Sequence, residues 1–164
     1  MGISKRTIYR RNNLMDTGDI VFIRGKSIIS KLVRYFDKGE FSHVAVAVSP
    51  THIIEADWKT KSIIKPFEYE DFEVVRLNLN EQQKDQLIKD AIQLTGKWYD
   101  YTQILGYVLS KEDVLGSPKR LICSEIAYEL LYGLGIDTGD RNISPNELYS
   151  FLTADTLTGV AQTI

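Results

Sequence analysis

Phe41-Ser42-His43-Val44-Ala45-Val46-Ala47-Val48 alternates with the period of a β-strand. Val44, Val46 and Val48 share one face; His43, Ala45 and Ala47 share the other. Branched valines suit a packed sheet face. The two alanines predict a bulky element, such as a helix, close against the opposite face. Ser49-Pro50-Thr51 is a turn, and His52-Ile53-Ile54-Glu55-Ala56-Asp57 runs back as a second strand. With that three-residue loop, Val48 pairs with His52, Ala45 with Glu55 and His43 with Asp57. His43 and Glu55 are then diagonal neighbours on one face, roughly 7–8 Å apart at the backbone and closer at the side chains. A two-residue loop would flip the parity and separate them. His52 falls on the valine face, near the turn.

Upstream, Asp16-Thr17-Gly18-Asp19 is a turn cluster that leads into Ile20-Val21-Phe22-Ile23, a short apolar run expected to be a buried strand. Gly25 ends it. Ser27 then caps a helix with Ile28, Ile29, Leu32, Val33 and Phe36 on its apolar side. Residues 1–15 read as a polar arm, which leaves 16–164 as a single domain. Downstream, Lys61–Lys65 and Phe72–Leu77 are further strands, separated by Pro66 and an acidic turn.

The second half turns helical. Asn80 caps a helix over Glu81–Leu94, with Gln83 at the capping-box position; Leu87, Ile88, Ala91 and Ile92 form its expected buried face. Trp98-Tyr99-Asp100-Tyr101 is an aromatic cluster ahead of a helical segment over Thr102–Ser110. Ser144-Pro145-Asn146-Glu147 combines a Ser cap, a first-position Pro and a Glu three residues on, a helix start. Leu148, Phe151 and Leu152 carry the apolar face of that helix. Strands followed by helices argue for an α+β fold.

The whole chain bounds the function. Its 164 residues suffice for a real core. Hydrophobic content of 43% and charged content of 26% are those of a soluble globular protein. A net charge of −2 gives no reason to expect a nucleic-acid partner. With one cysteine and two histidines there is neither an internal disulfide nor a zinc-ligand cluster, so no metal or other cofactor is expected. No apolar run has the length of a signal-peptide core or a membrane span. The expectation is therefore a cytoplasmic protein, or one released by a non-Sec, phage-type route, without integral membrane association.

The lone cysteine lies in Arg120-Leu121-Ile122-Cys123-Ser124-Glu125-Ile126-Ala127-Tyr128-Glu129-Leu130-Leu131. Ile126, Ala127, Leu130, Leu131 and Leu134 fall at helical spacing, and Gly133 and Gly135 mark the far end. Cys123 thus opens an amphipathic helix, where the macrodipole favours thiolate. Position alone leaves two readings, a nucleophile or an inert core thiol. A hydrolytic thiol needs a base and a group to hold the base. His43 with Glu55 supplies such a pair if the hairpin register is right.

Taken in order, Gly18-Asp19-Ile20-Val21-Phe22, Phe41-Ser42-His43-Val44, Ile54-Glu55-Ala56, Gly96-Lys97-Trp98-Tyr99-Asp100, Ile122-Cys123-Ser124-Glu125-Ile126 and Ser144-Pro145-Asn146-Glu147-Leu148 resemble the permuted papain-like amidases, NlpC-related enzymes of the YaeF/YiiX type. The resemblance runs from about Thr17 to Leu152. It implies a circularly permuted papain-like fold: an antiparallel, barrel-like sheet comes first and packs against a central helix that bears the cysteine, a helix expected close against the face of Ala45 and Ala47. It implies Cys123 as nucleophile, His43 as general base, Glu55 as the residue that orients the imidazole, and Tyr99 as an aid to the oxyanion or the substrate. It further implies a cysteine peptidase or amidase that cuts amide bonds in peptidoglycan stem peptides or related short peptides. An acyltransferase or lipid-directed thiol enzyme on the same scaffold is the nearest alternative, and a non-catalytic, virion-associated or binding domain is another. Oligomeric state is not readable from the sequence.

Overall fold

The computed structural model describes residues 15–26, 30, 31, 34, 38–56, 61–96, 122–141 and 143–154, with the side chains of 122 and 123 excepted. Among the described residues there are five strands, β1 (Ile20–Ile23), β2 (His43–Ala47), β3 (His52–Glu55), β4 (Ile63–Pro66) and β5 (Phe72–Val75). After them, again among the described residues, come three helices, α1 (Glu81–Leu94), α2 (Ile122–Gly133) and α3 (Pro145–Thr153); residues 30, 31 and 34, between β1 and β2, are helical as well. The architecture is α+β, as the order of patterns implies. The helix expected over 27–36 falls largely outside the described residues. The aromatic cluster at 98–101, the segment 102–110 and the tail after Ala154 lie wholly outside them.

The sheet is antiparallel throughout, in the order β4-β3-β2-β1-β5. β1 sits between β2 and β5 and is buried on both faces, which explains its uninterrupted apolar run. Gly18 holds a φ of +92°, and a Cβ there would stand 2.3 Å from the Leu79 side chain. Only glycine satisfies both conditions at the turn into β1. The Asp19 carboxylate closes that turn by accepting from the Asp16 N–H at 2.8 Å, and it takes a two-pronged ion pair from Arg76 at 3.1 and 2.9 Å.

The β2–β3 hairpin has the predicted register. Val46 faces Ile54 and Ala47 faces Ile53, and the Val48 N–H donates to the His52 carbonyl at 2.9 Å. The odd loop therefore keeps His43 and Glu55 on one face.

The helices cap as their sequences require. Asn80 and Gln83 form a reciprocal capping box at α1, and Ser144 and Glu147 form one at α3 behind Pro145. α2 ends at Gly133; Gly135 then takes a φ of +80°, and the Ile136 N–H returns to the Leu131 carbonyl at 2.9 Å. On α1, Leu87, Ala91 and Leu94 are buried. Ile92, expected inside, is 60% exposed. Successive residues turn by about 100°, and the inner stripe runs through 87, 91 and 94, so position 92 points outward.

The sheet's two faces carry separate cores. Val44, Val46, Val48, Ile20, Phe22 and Ile54 pack with the buried residues of α1, α2 and α3. Ala45, Ala47, Val21, Ile23, Ile53 and Val74 pack with Met15, Phe67, Tyr69 and Phe72. This corrects one expectation. α2 lies on the valine face, and the alanine face is covered by aromatic side chains around the β4–β5 connection. Small residues do make room for something bulky there, and among the described residues it is side chains that fill it. The amphipathic helices take the larger apolar face, which buries more surface.

Candidate active site

His43 opens β2 and Glu55 closes β3, so strand pairing sets their backbone positions. The His43 Nε2 stands 2.8 Å from Glu55 Oε2. The histidine side chain is 16% exposed and the carboxylate 1%. Two further groups reach the same carboxylate. The Tyr69 hydroxyl spans both oxygens, at 3.0 Å from Oε1 and 2.8 Å from Oε2. The Lys65 ammonium pairs with Oε1 and lies 5.1 Å from the centre of the Tyr69 ring. Burial pushes the Glu55 pKa upward; the His43 hydrogen bond and charge, with the Lys65 and Tyr69 hydrogen bonds, outweigh burial and bring it down to about 2. Glu55 is thus an anion at any ordinary pH. An ionised carboxylate only accepts hydrogen bonds, so Nε2 carries the proton facing it. The neutral ring is then the Nε2–H tautomer, with Nδ1 as its basic nitrogen.

The approach to His43 is pinned from several sides. Asn146, the second residue of α3, brackets Phe41: its Oδ1 accepts from the Phe41 N–H and its Nδ2 donates to the Phe41 carbonyl, each at 2.9 Å. The side-chain amide pairs with the backbone as a neighbouring strand would. A Cβ on Gly39 would collide with this amide at 2.1 Å. The Ser42 hydroxyl accepts from the Gly25 N–H at 2.9 Å, and the Ser42 N–H donates to the Ile23 carbonyl at 3.0 Å. The Phe41 ring packs on Phe22 and Tyr149, with centroids 5.4 and 4.7 Å away. Arg24 lies over its face at 4.7 Å and pairs with Glu40 and Glu73.

Of the residues predicted for a site, His43 and Glu55 are brought together. Cys123 lies in the first turn of α2 by its backbone, and its side chain is outside the described residues. Tyr99 is outside them altogether. His52 is exposed and bonds to the neighbouring Thr51 hydroxyl at 3.0 Å. Lys65, Tyr69 and the Asn146 clamp were not foreseen. A signal for Lys65 exists in the register: Ile53 faces Lys65 and Glu55 faces Ile63, so Lys65 and Glu55 are same-face diagonal neighbours. Reading it required the length of the β3–β4 connection, which has no diagnostic turn residues. Asn146 was legible as part of a helix start but not as a partner of Phe41, 105 residues away.

The chain combines an antiparallel strand that presents a carboxylate-paired histidine with a cysteine in the first turn of a later helix. The profile of the permuted papain-like amidase enzymes, YaeF/YiiX, C92 family, covers residues 14–157. The chain belongs to this family. Membership in the C92 family carries with it the class of permuted papain-like cysteine peptidases and amidases, and in this chain the sheet precedes the helix Ile122–Gly133. Among solved structures, the chain is similar to the crystal structure of the metalloprotein yiiX from Escherichia coli O157:H7, at 18% identity over 87% of this chain and 84% of that one, with a TM-score of 0.49. No curated protein matches. Among the described residues of this C92 member, no group of three or more His, Cys, Asp or Glu side chains is arranged to hold a metal ion. Also among them, no helix is long and apolar enough to cross a membrane.

Proposed function

We propose that the protein is a thiol-dependent amidase that uses Cys123 as nucleophile, His43 as general base and Glu55 as the group that orients the imidazole. The observation that carries this reading is the 2.8 Å contact between His43 Nε2 and a buried, ionised Glu55, because it makes Nδ1 the nitrogen that exchanges protons. Nδ1 takes the Cys123 thiol proton, and the thiolate attacks the acyl carbon. The tetrahedral intermediate collapses to a thioester as the imidazolium gives its proton to the leaving amine. Nδ1 then takes a proton from water, the hydroxide releases the carboxylic acid, and the thiol is restored. N–H groups of the first turn of α2, together with the Tyr99 hydroxyl, are assigned to the oxyanion.

By alternation with Ala45, Ala47 and Ile53, His43 and Glu55 sit on the face of the sheet opposite α1, α2 and α3. His43 is the first residue of β2 and so lies at the end of that face. Amide bonds in cell-wall stem peptides or related short peptides are the proposed substrates, on the strength of the family. The test is hydrolysis of a panel of muropeptides and simple acyl amides by the wild type and by Cys123→Ala. The variant is expected to lose at least about a thousandfold in turnover. Equal turnover by the two proteins overturns the proposal.

A further inference from the structure

Glu55 is not a simple partner of one histidine. Its two oxygens are divided. Oε2 receives His43 and Tyr69, and Oε1 receives Tyr69 and Lys65. The Lys65 side chain comes from the edge strand β4 and is 34% exposed, whereas the carboxylate it reaches is buried. Among the described residues, the charged or titratable groups that meet His43 or its carboxylate are Glu55 from β3, Lys65 from β4 and Tyr69 from the β4–β5 connection; β1 sets only Ile23 opposite His43.

We infer that Lys65 and Tyr69 are positioning residues that act through Glu55: they lock the carboxylate in one orientation and divide its charge, and so set the basicity of His43. With Lys65 present, a single negative charge faces two cations whenever His43 is protonated. Without it, the whole charge acts on the imidazolium, which becomes harder to deprotonate. Tyr69 contributes direction. A hydroxyl that spans both oxygens fixes rotation of the carboxylate, and its ring holds the Lys65 ammonium over one face. The consequence for catalysis rests on the reading of His43 as the base; the effect on His43 itself does not.

The chain has only two histidines, and His52 stands exposed on the other face as an internal reference. Proton NMR titration of the ring signals, assigned with His43→Ala, therefore reads the effect directly. Lys65→Met is expected to raise the His43 midpoint by about half a pH unit or more and to leave His52 unmoved. Lys65→Arg is expected to restore the wild-type value. Glu55→Gln is expected to move His43 the opposite way, and Tyr69→Phe to raise it by less than Lys65→Met. A His43 midpoint unchanged in Lys65→Met, in a protein with otherwise native shifts, overturns the inference. The iodoacetamide alkylation rate of Cys123 in the wild type and in His43→Ala separates the two readings. If that rate ignores His43→Ala while the midpoint still moves with Lys65, the catalytic assignment fails and the tuning of His43 stands.

Discussion

A carboxylate that is 1% exposed is a costly group to ionise, and Glu55 is ionised only because three donors converge on it. Its pKa falls from an ordinary 4.5 to about 2 in the folded state. That displacement corresponds to roughly 3 kcal/mol between the folded and unfolded chains. A depressed carboxylate stabilises the fold fully above its unfolded value, and the contribution drains away as pH falls from about 4.5 toward about 2. Glu55→Gln removes the titration and leaves Lys65 and His43 without their counter-charge. At neutral pH the variant is expected to be less stable by about 2–3 kcal/mol. The difference from the wild type should narrow as pH approaches 2, because the wild type loses what the variant never had. Urea unfolding of both proteins across that range checks the sign. A gap that widens on acidification contradicts this account of Glu55.

At the scale of elements, the β2–β3 hairpin and the α3 N-terminus do most to place His43. The hairpin was legible from sequence because two independent signals agree. Alternation fixes which residues share a face, and Ser49-Pro50-Thr51 favours an odd loop. Alternation shows that two faces differ, yet it does not reveal what covers each. Hence the alanine face was expected to receive a helix, whereas among the described residues Phe67, Tyr69 and Phe72 pack there. The helix start at Ser144 was equally legible because capping is local chemistry. The long-range part of the same motif was not, since an Asn side chain looks the same whether it faces solvent or a distant strand. Asn146 ties α3 to the residue two before His43 by satisfying both polar groups of Phe41. Asn146→Ala leaves those groups unpaired where Phe41 is 1% exposed, so a loss of about 2–4 kcal/mol is expected. Asn146→Asp keeps the acceptor but cannot donate to the Phe41 carbonyl, so it should fall between the two. Urea titrations give the order directly. If Asn146→Ala unfolds at the wild-type midpoint, the clamp does not hold the strand.

Across the described part of the molecule, the sheet separates a helical core from a face that carries the polar cluster. The two faces should therefore fail in different ways. Val46 is fully buried on the helical side. Val46→Ala removes two methyl groups from a closely packed interior and is expected to cost about 2–3 kcal/mol. It should leave the His43 midpoint unchanged, because nothing on the helical side touches the carboxylate within the described residues. Ala45 is 1% exposed on the opposite face, in the position that faces Glu55 by the hairpin register, and it packs in the cluster that includes Phe67 and Tyr69. Ala45→Leu adds volume where aromatic side chains already fill the space, and overpacking of this kind costs about 1–3 kcal/mol. The displaced group is expected to be Tyr69, whose hydroxyl would leave the Glu55 carboxylate. The two substitutions thus cost similar stability but differ in chemistry. Ala45→Leu should shift the His43 midpoint in the direction of Tyr69→Phe, and should lower amide turnover by more than its loss of stability explains. Val46→Ala should leave turnover near wild type at temperatures where it is folded. Unfolding curves and His43 titrations of the two variants, run side by side, decide the matter. If both move His43 alike, the two faces are not energetically separate, and the fold couples the helical core to the carboxylate more tightly than the contacts imply.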